Sequence, residues 1–157
     1  MTFDCNAFRK ALGTFPTGIV VVTAGKGADA KGITVNSFTS VSLEPPLVAW
    51  CLGKSSSRYA LFTEPESFTI SVLAAAQQAV SDRLAGGAGC SVTGLALTET
   101  ENGAPGIAGA LAIFECTRAA LHEAGDHVIL VGRVTAFTAQ SEGAALTYFR
   151  SHYGVAE

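Results

Sequence analysis

Long apolar runs are missing from this sequence. No stretch approaches the ~20 residues that a membrane-spanning helix needs, although 48% of the 157 residues are hydrophobic. Charge is sparse, with 10 Lys and Arg against 13 Asp and Glu, a net of −3. A mildly acidic chain with scattered cations makes a poor non-specific nucleic-acid surface. Intrinsic disorder is excluded too, since it requires few apolar residues and high net charge. Cysteine is present but unorganised. Cys5, Cys51, Cys90 and Cys116 form no Cys-x-x-Cys pair, and His122, His127 and His152 stand at no zinc-ligand spacing from them. Neither a metal site nor a disulfide framework is expected. Cys51 and Cys116 sit inside apolar runs, where a free thiol behaves as a small hydrophobe. Met1-Thr2-Phe3-Asp4 lacks the charged-then-apolar form of a signal peptide, so the expected location is the cytoplasm.

What is there reads as one domain over residues 1–157, long enough to bury a core without staples. Phe3, Phe8, Leu12 and Phe15 recur near helical spacing, which predicts an opening helix over 3–15 with Thr2 as N-cap. The period then changes. Gly18-Ile19-Val20-Val21-Val22-Thr23-Ala24 is a β-branched run that reads as a buried strand. Residues 32–43 read as a second strand with a loop inside it, and 47–52 as a third after Pro45-Pro46. A short helix is predicted over 55–62, capped by Ser55 or Ser56. Residues 68–73 read as a strand, 74–84 as a helix, and 86–109 as a loop with short β pieces. Two long β runs follow, 110–121 and 127–139, with Gly125-Asp126 as the hairpin turn between them. The tail, 144–149, reads as helical. Closely spaced strands without βαβ alternation predict a mainly β, antiparallel architecture closed as a barrel.

One motif is a decoy. Gly25-Lys26-Gly27-Ala28-Asp29-Ala30 has the G-x-G-x-x-A form of a dinucleotide fingerprint, with Glu44 placed as a ribose acid would be. That motif works only where a helix begins and points its N–H groups at a pyrophosphate. Here Gly32-Ile33-Thr34-Val35 follows, which is strand-like.

Two segments carry candidate chemistry. Residues 32–46 set Thr34, Asn36, Ser37, Thr39, Ser40 and Ser42 into an otherwise apolar strand. They read either as hydrogen-bonding groups for the edge of a polar heteroaromatic ring or as a solvated strand face with an Asn-Ser turn. Leu52-Gly53-Lys54-Ser55-Ser56-Ser57-Arg58 reads either as a phosphate seat at a helix N-terminus or as an ordinary Ser cap with exposed cations. Gly125-Asp126-His127 by itself is a hairpin turn carrying a His, and His152-Tyr153-Gly154 alone is uninformative.

Taken in order, these segments resemble the short-chain flavin reductase family, whose members adopt the flavin-binding split barrel. The resemblance runs through Phe8-Arg9-Lys10-Ala11-Leu12-Gly13-Thr14-Phe15-Pro16-Thr17-Gly18, Thr34-Val35-Asn36-Ser37-Phe38 and Ser40-Val41-Ser42-Leu43-Glu44-Pro45-Pro46-Leu47-Val48. It continues through Cys51-Leu52, Ser55 to Ser57, Phe68-Thr69-Ile70-Ser71-Val72-Leu73, Gly109-Ala110-Leu111-Ala112, Gly125-Asp126-His127 and Tyr153-Gly154. Each motif is weak, but the ordered set covers nearly the whole chain. The sequence departs from the family at Leu84, where an aromatic is usual. It departs again at Gly86-Gly87-Ala88-Gly89-Cys90-Ser91, in place of a basic-aromatic stretch.

The resemblance implies reduction of free FMN or FAD by NADH or NADPH, with hydride passing to flavin N5. Reduced flavin would then reach a separate oxygenase component by diffusion or transient contact. It implies that Thr34, Val35, Asn36, Ser37 and Ser40 line the flavin. Cys51, Leu52, Lys54, Ser55, Ser56 and Ser57 would contact the ring and hold the ribityl phosphate, with Ala85 and Gly86 near that phosphate. Pro16, Thr17, His127, Tyr153 and Gly154 would border the nicotinamide, with His127 as the positioning or electrostatic residue. Hydride transfer needs orientation more than acid–base chemistry, and the sequence shows no clustered carboxylate pair or Ser-His-Asp set. A split barrel with an exposed sheet face commonly buries that face against a twin, and the high apolar content of a small chain agrees, so the resemblance implies a homodimer with flavin sites near its interface. The rival readings are a flavin-binding carrier or sensor, which needs no nicotinamide site, and a pyridoxamine-phosphate-oxidase-like enzyme, which needs more cations than these ten.

Overall fold

The computed structural model describes residues 3–86 and 89–157. Helix α1, Cys5–Leu12, is capped by Asp4, whose Oδ1 accepts from the N–H of Asn6 at 2.8 Å and of Ala7 at 3.0 Å. The helix is thus shorter than the hydrophobic spacing suggests. Its cap is a carboxylate beside the positive end of the helix, and Thr2 lies outside the described residues. No residue of α1 is buried.

The strands β1 (Thr17–Gly18), β2 (Val20–Ala24), β3 (Lys31–Val35), β4 (Thr39–Leu43) and β5 (Pro46–Gly53) come next. A single 3₁₀ turn, Gly27–Asp29, fills the fingerprint-like segment and leads straight into β3. Helix α2 (Tyr59–Thr63), β6 (Ser67–Val72) and α3 (Gln78–Ala85) follow. Then come two short strands, β7 (Leu97–Thr98) and β8 (Gly106–Ile107), and a long hairpin of β9 (Ala112–Ala124) and β10 (His127–Ala139). Gly125 holds φ +64° in the turn between them, a value that glycine adopts without steric cost.

The tail differs from its sequence reading. It is a hairpin of β11 (Ala145–Phe149) and β12 (His152–Ala156), not a helix. Ala and Leu at 144–146 favour a helix in isolation, but Leu146 N–H donates to Leu73 O at 3.0 Å and recruits the segment as a strand. Its turn residues, Arg150 and Ser151, both hold positive φ, 48° and 65°.

The main sheet has seven antiparallel strands in the order β3-β2-β6-β9-β10-β5-β4. Its two edges, β3 and β4, are consecutive in the chain and joined by residues 36–38. Laid flat, the edges of seven strands would stand about 29 Å apart, yet four Cα steps reach only about 15 Å. The sheet must therefore curl into a barrel split between β3 and β4. The expected architecture holds, except that the hydrogen-bond ladder does not close.

The inside holds Val20, Val22, Trp50, Leu52, Phe62, Phe68, Ile70, Val128 and Leu130. Each buried aromatic contributes about 1.5–3 kcal/mol. Gly132 is required here, because a Cβ at this position would come within 2.6 Å of Phe68 Cζ. A second core, with Ile19, Val21, Leu73, Leu84, Ile107 and Leu146, lies on the other face of β2 under α3 and the tail hairpin. That burial on both faces is why β2 reads as an unbroken apolar run.

Candidate functional site

The link across the split carries the polar segment nominated from the sequence. Thr34 and Val35 end β3, and Asn36, Ser37 and Phe38 cross to β4. Thr34 Oγ1 donates to Ser81 O of α3 at 2.8 Å, so that hydroxyl fixes the helix against the strand. Ser37 Oγ accepts from Cys51 N–H at 2.9 Å and ties the link to β5. Asn36 is exposed at the mouth of the split.

Two cavities meet at Asn36. One, of about 180 Å³, is lined by Thr34, Val35, Asn36, Ala85, Tyr148 and Tyr153, with Ile19 and Ser81 behind them. The other, of about 440 Å³, is lined by Pro16, Thr17, Asn36, Ser37, Phe38 and Thr39, with Phe15 and Gly18 at its edge. The fold thus gathers residues expected at the flavin (Thr34, Val35, Asn36, Ser37, Ala85) with residues expected at the nicotinamide (Pro16, Thr17, Tyr153). Ser81, Tyr148 and Ile19 were not foreseen. Tyr148 belongs to the segment misread as a helix, and its signal was the aromatic spacing of Tyr148 and Tyr153 across a polar turn. Their rings meet edge to face at 5.5 Å. Tyr153 OH lies 2.9 Å from Ser81 Oγ. Desolvation raises its phenol above the usual value, against the Ser81 hydrogen bond, which lowers it. The hydroxyl therefore stays protonated at neutral pH.

A second group forms at the ends of β5 and β10. His127 stands opposite Gly53, with Cys51 opposite Ile129 two residues along. Residues in register, and residues two apart, share a face, so Cys51, Gly53, Ile129 and His127 lie together on the outside of the barrel. Leu52 points the other way and is buried in the core, which leaves only its backbone for a ligand outside. The His127 ring lies over Gly53, where a Cβ would stand in ordinary contact with Nε2 at 3.6 Å. His127 Nδ1 lies 2.7 Å from Asp126 Oδ1. That hydrogen bond, with the charge of the ring, holds the Asp126 carboxyl below its ordinary value.

The Lys54 to Arg58 segment differs from its expected form. The helix after it starts only at Tyr59 and is five residues long. Its cap position is Arg58, with no side-chain cap bond. Ser55, Ser56 and Ser57 sit in the turns before it, and Ser56 Oγ accepts from Arg58 N–H at 3.2 Å. Lys54 is paired with Glu123. Arg58 is only 4% exposed, so it is no free phosphate ligand. Its guanidinium donates to the carbonyls of Leu84 (2.6 Å), Gly86 and Gly89 (3.1 Å). A buried cation thus meets the negative end of α3 and binds the serine segment to the one carrying Ala85 and Gly86. Ser40 lies exposed on the edge strand β4, opposite Val48, and Gly154 pairs with Thr147. Tyr153 lines the smaller of the two cavities and His127 lines neither.

A family model described as "Flavin reductase like domain" matches residues 12–157. The chain belongs to this family. Among curated flavin reductases, it is 50% identical over 131 residues to an NADH-dependent FMN reductase of Agrobacterium fabrum, covering 83% of this chain and 75% of that one. It is 38% identical over 148 residues to the reductase component of 4-hydroxyphenylacetate 3-monooxygenase from Thermus thermophilus, covering 94% of each. The structure superposes with a TM-score of 0.90 on a Streptomyces globisporus NADH:FAD oxidoreductase solved with NAD and FAD fragments. That protein is 37% identical, with 96% of this chain and 92% of that one covered. The flavin reductase fold thus accounts for both the split sheet and the added tail hairpin.

Proposed function

We propose that the two cavities meeting at Asn36 hold a flavin ring against a reduced nicotinamide. The chain is an NAD(P)H-dependent flavin reductase that reduces free FMN or FAD and supplies it to a separate monooxygenase component. The bound flavin accepts hydride at N5, and the protein's work is to orient two rings and keep water out. The observation that carries this site is Asn36, exposed where the two cavities meet, with Thr17 in the wall of the larger one. Thr17 Oγ1 is closed off from solvent and has no hydrogen-bond partner among the described residues.

Around it, Asn36 and the backbone of 34–37 meet the flavin edge, and Ser37 holds that link in place through Cys51. Tyr153 keeps a protonated hydroxyl at the inner end. His127, fixed by Asp126, borders the nicotinamide from the outer face of β10. Ala85, Gly86 and the 54–57 turns lie toward the ribityl phosphate, with Arg58 as the clamp that positions them. We take residues 1–157 as one flavin reductase-like domain acting in the cytoplasm. Its four cysteines, all free thiols, support that location. The expected assembly is a homodimer. Leu43 and Phe137 on the sheet are exposed apolar side chains that a second copy would cover. A monomeric mass in solution would contradict the dimer.

The test is anaerobic mixing with FMN or FAD and NADH or NADPH, following the loss of flavin colour. His127→Ala should raise KM for the pyridine nucleotide while leaving flavin affinity near that of wild type. Equal loss of both would remove His127 from the nicotinamide side.

A further inference from the structure

We propose that Arg9, Lys10 and Arg150 form a seat for the diphosphate of the reduced pyridine dinucleotide, at the far end of a groove that starts at Thr17 and Asn36. The inference rests on the reading of Thr17 and Asn36 as the nicotinamide end. Two further cavities extend from that end. The first, about 320 Å³, runs from Thr17, Asn36 and Tyr148 to Arg9, Gly13 and Ser151. The second, about 330 Å³, shares Arg9, Gly13 and Ser151 and ends at Lys10, Thr14 and Arg150. The cavities therefore follow one another from neutral, polar walls to a cationic end.

Three of the ten basic residues of an acidic chain converge there. None of the three is in an ion pair among the described residues, whose pairs are Lys54–Glu123 and Asp126–His127. Asp4, the acid nearest in sequence on α1, spends its carboxylate on the helix cap. Arg150 lies against the Phe149 ring, 5.1 Å from its centroid, which holds the guanidinium while leaving its N–H groups free to donate.

The turn that presents Arg150 is an independent observation. Arg150 and Ser151 both occupy the left-handed region, where Asn and Gly would sit without strain. Non-glycine residues held there cluster at ligand sites. The turn is anchored on α1's exit by Arg150 N–H to Gly13 O at 2.8 Å, and within the turn His152 Nδ1 lies 2.7 Å from Arg150 O. The bond to Gly13 thus holds two guanidinium-bearing elements, α1 and the tail hairpin, on either side of one groove. A diphosphate is the anionic group that this geometry and charge fit, being attached to the nicotinamide by a single ribose.

The test measures NADH binding by its nicotinamide fluorescence, with FMN titration and circular dichroism as controls of fold. Arg9→Gln, Lys10→Gln and Arg150→Gln should each weaken NADH binding by roughly twofold to fivefold, the range for exposed charge pairs. Together they should weaken it by more than about tenfold on the same basis, with FMN binding unchanged. Wild-type affinity should fall with added salt, and the triple variant should lose that dependence. Arg133→Gln, an exposed cation elsewhere on β10, should bind NADH as wild type does. Unchanged affinity and salt dependence in the triple variant would overturn the seat, as would a loss confined to FAD. Wild type that binds NADH without reducing flavin would overturn the activity and leave the seat standing.

Discussion

Replacing Arg58 with Met removes a buried guanidinium and keeps most of its apolar stem. Three carbonyls lose their donor: those of Leu84, Gly86 and Gly89. Leu84 is fully buried, so its carbonyl is left without a partner, at about 1–3 kcal/mol. Gly86 is exposed and Gly89 half-exposed, so water replaces the guanidinium there at little cost. The variant also no longer has to desolvate a cation, which offsets part of the loss. The net expectation is a destabilisation of about 2 kcal/mol. In a urea titration with a slope of about 2 kcal/mol/M, the midpoint should drop by about 1 M. The flavin measurement separates clamp from packing. If Arg58 fixes the 84–89 segment beside Ala85, FMN affinity should fall under conditions where the variant is fully folded. Arg58→Lys should recover little, because one ammonium cannot reproduce a planar fork. A midpoint unchanged from wild type, together with unchanged FMN affinity, would refute this reasoning.

Other perturbations probe separate parts of the molecule. Gly132→Ala drives a methyl to within 2.6 Å of Phe68 Cζ and 3.1 Å of Cys116 Cβ. It should cost about 1–3 kcal/mol, and a wild-type melting temperature would show that the core gives way freely. Burial, with a smaller contribution from the charge of Glu115, pushes the Cys116 thiol up to about 12 from 9.0. Its native form is therefore the neutral thiol. The stability this contributes is fully present below the unfolded thiol's value and is lost as pH rises from about 9 toward 12. Native alkylation at pH about 9, near the free-thiol value, should label exposed Cys5 well before Cys116, and equal rates would contradict that burial.

Much of the barrel was legible because its strands announce themselves locally. β2 reads as a strand from its β-branched run, and the β9–β10 hairpin from two long runs about Gly125-Asp126. The fingerprint at 25–30 could be dismissed on the strand that follows it. Two readings failed for the same reason. The Ala-Leu start of the tail favours a helix locally, and pairing with β1 and β12 overrides that preference. The helix after the serines starts late, since Arg58 is held by carbonyls 26 to 31 residues away. The split barrel that the resemblance implied is found, although alternation alone cannot show which two edges remain unpaired.

The sequence by itself determined that this is a mainly β flavin reductase. Its ordered motifs and its period-two and β-branched runs are local properties, carried in the chain before it folds. It nominated Thr34 to Ser37, Pro16-Thr17 and Tyr153 residue by residue. Tertiary structure alone decided which of them meet, because Asn36 joins two cavities only when the split places the β3–β4 link beside β1 and the tail hairpin. It alone also turned Arg58 from a candidate phosphate ligand into a buried clamp and gathered Arg9, Lys10 and Arg150 from opposite ends of the chain. Charge and hydrogen-bonding capacity are written in sequence, but their partners are set by distances in space.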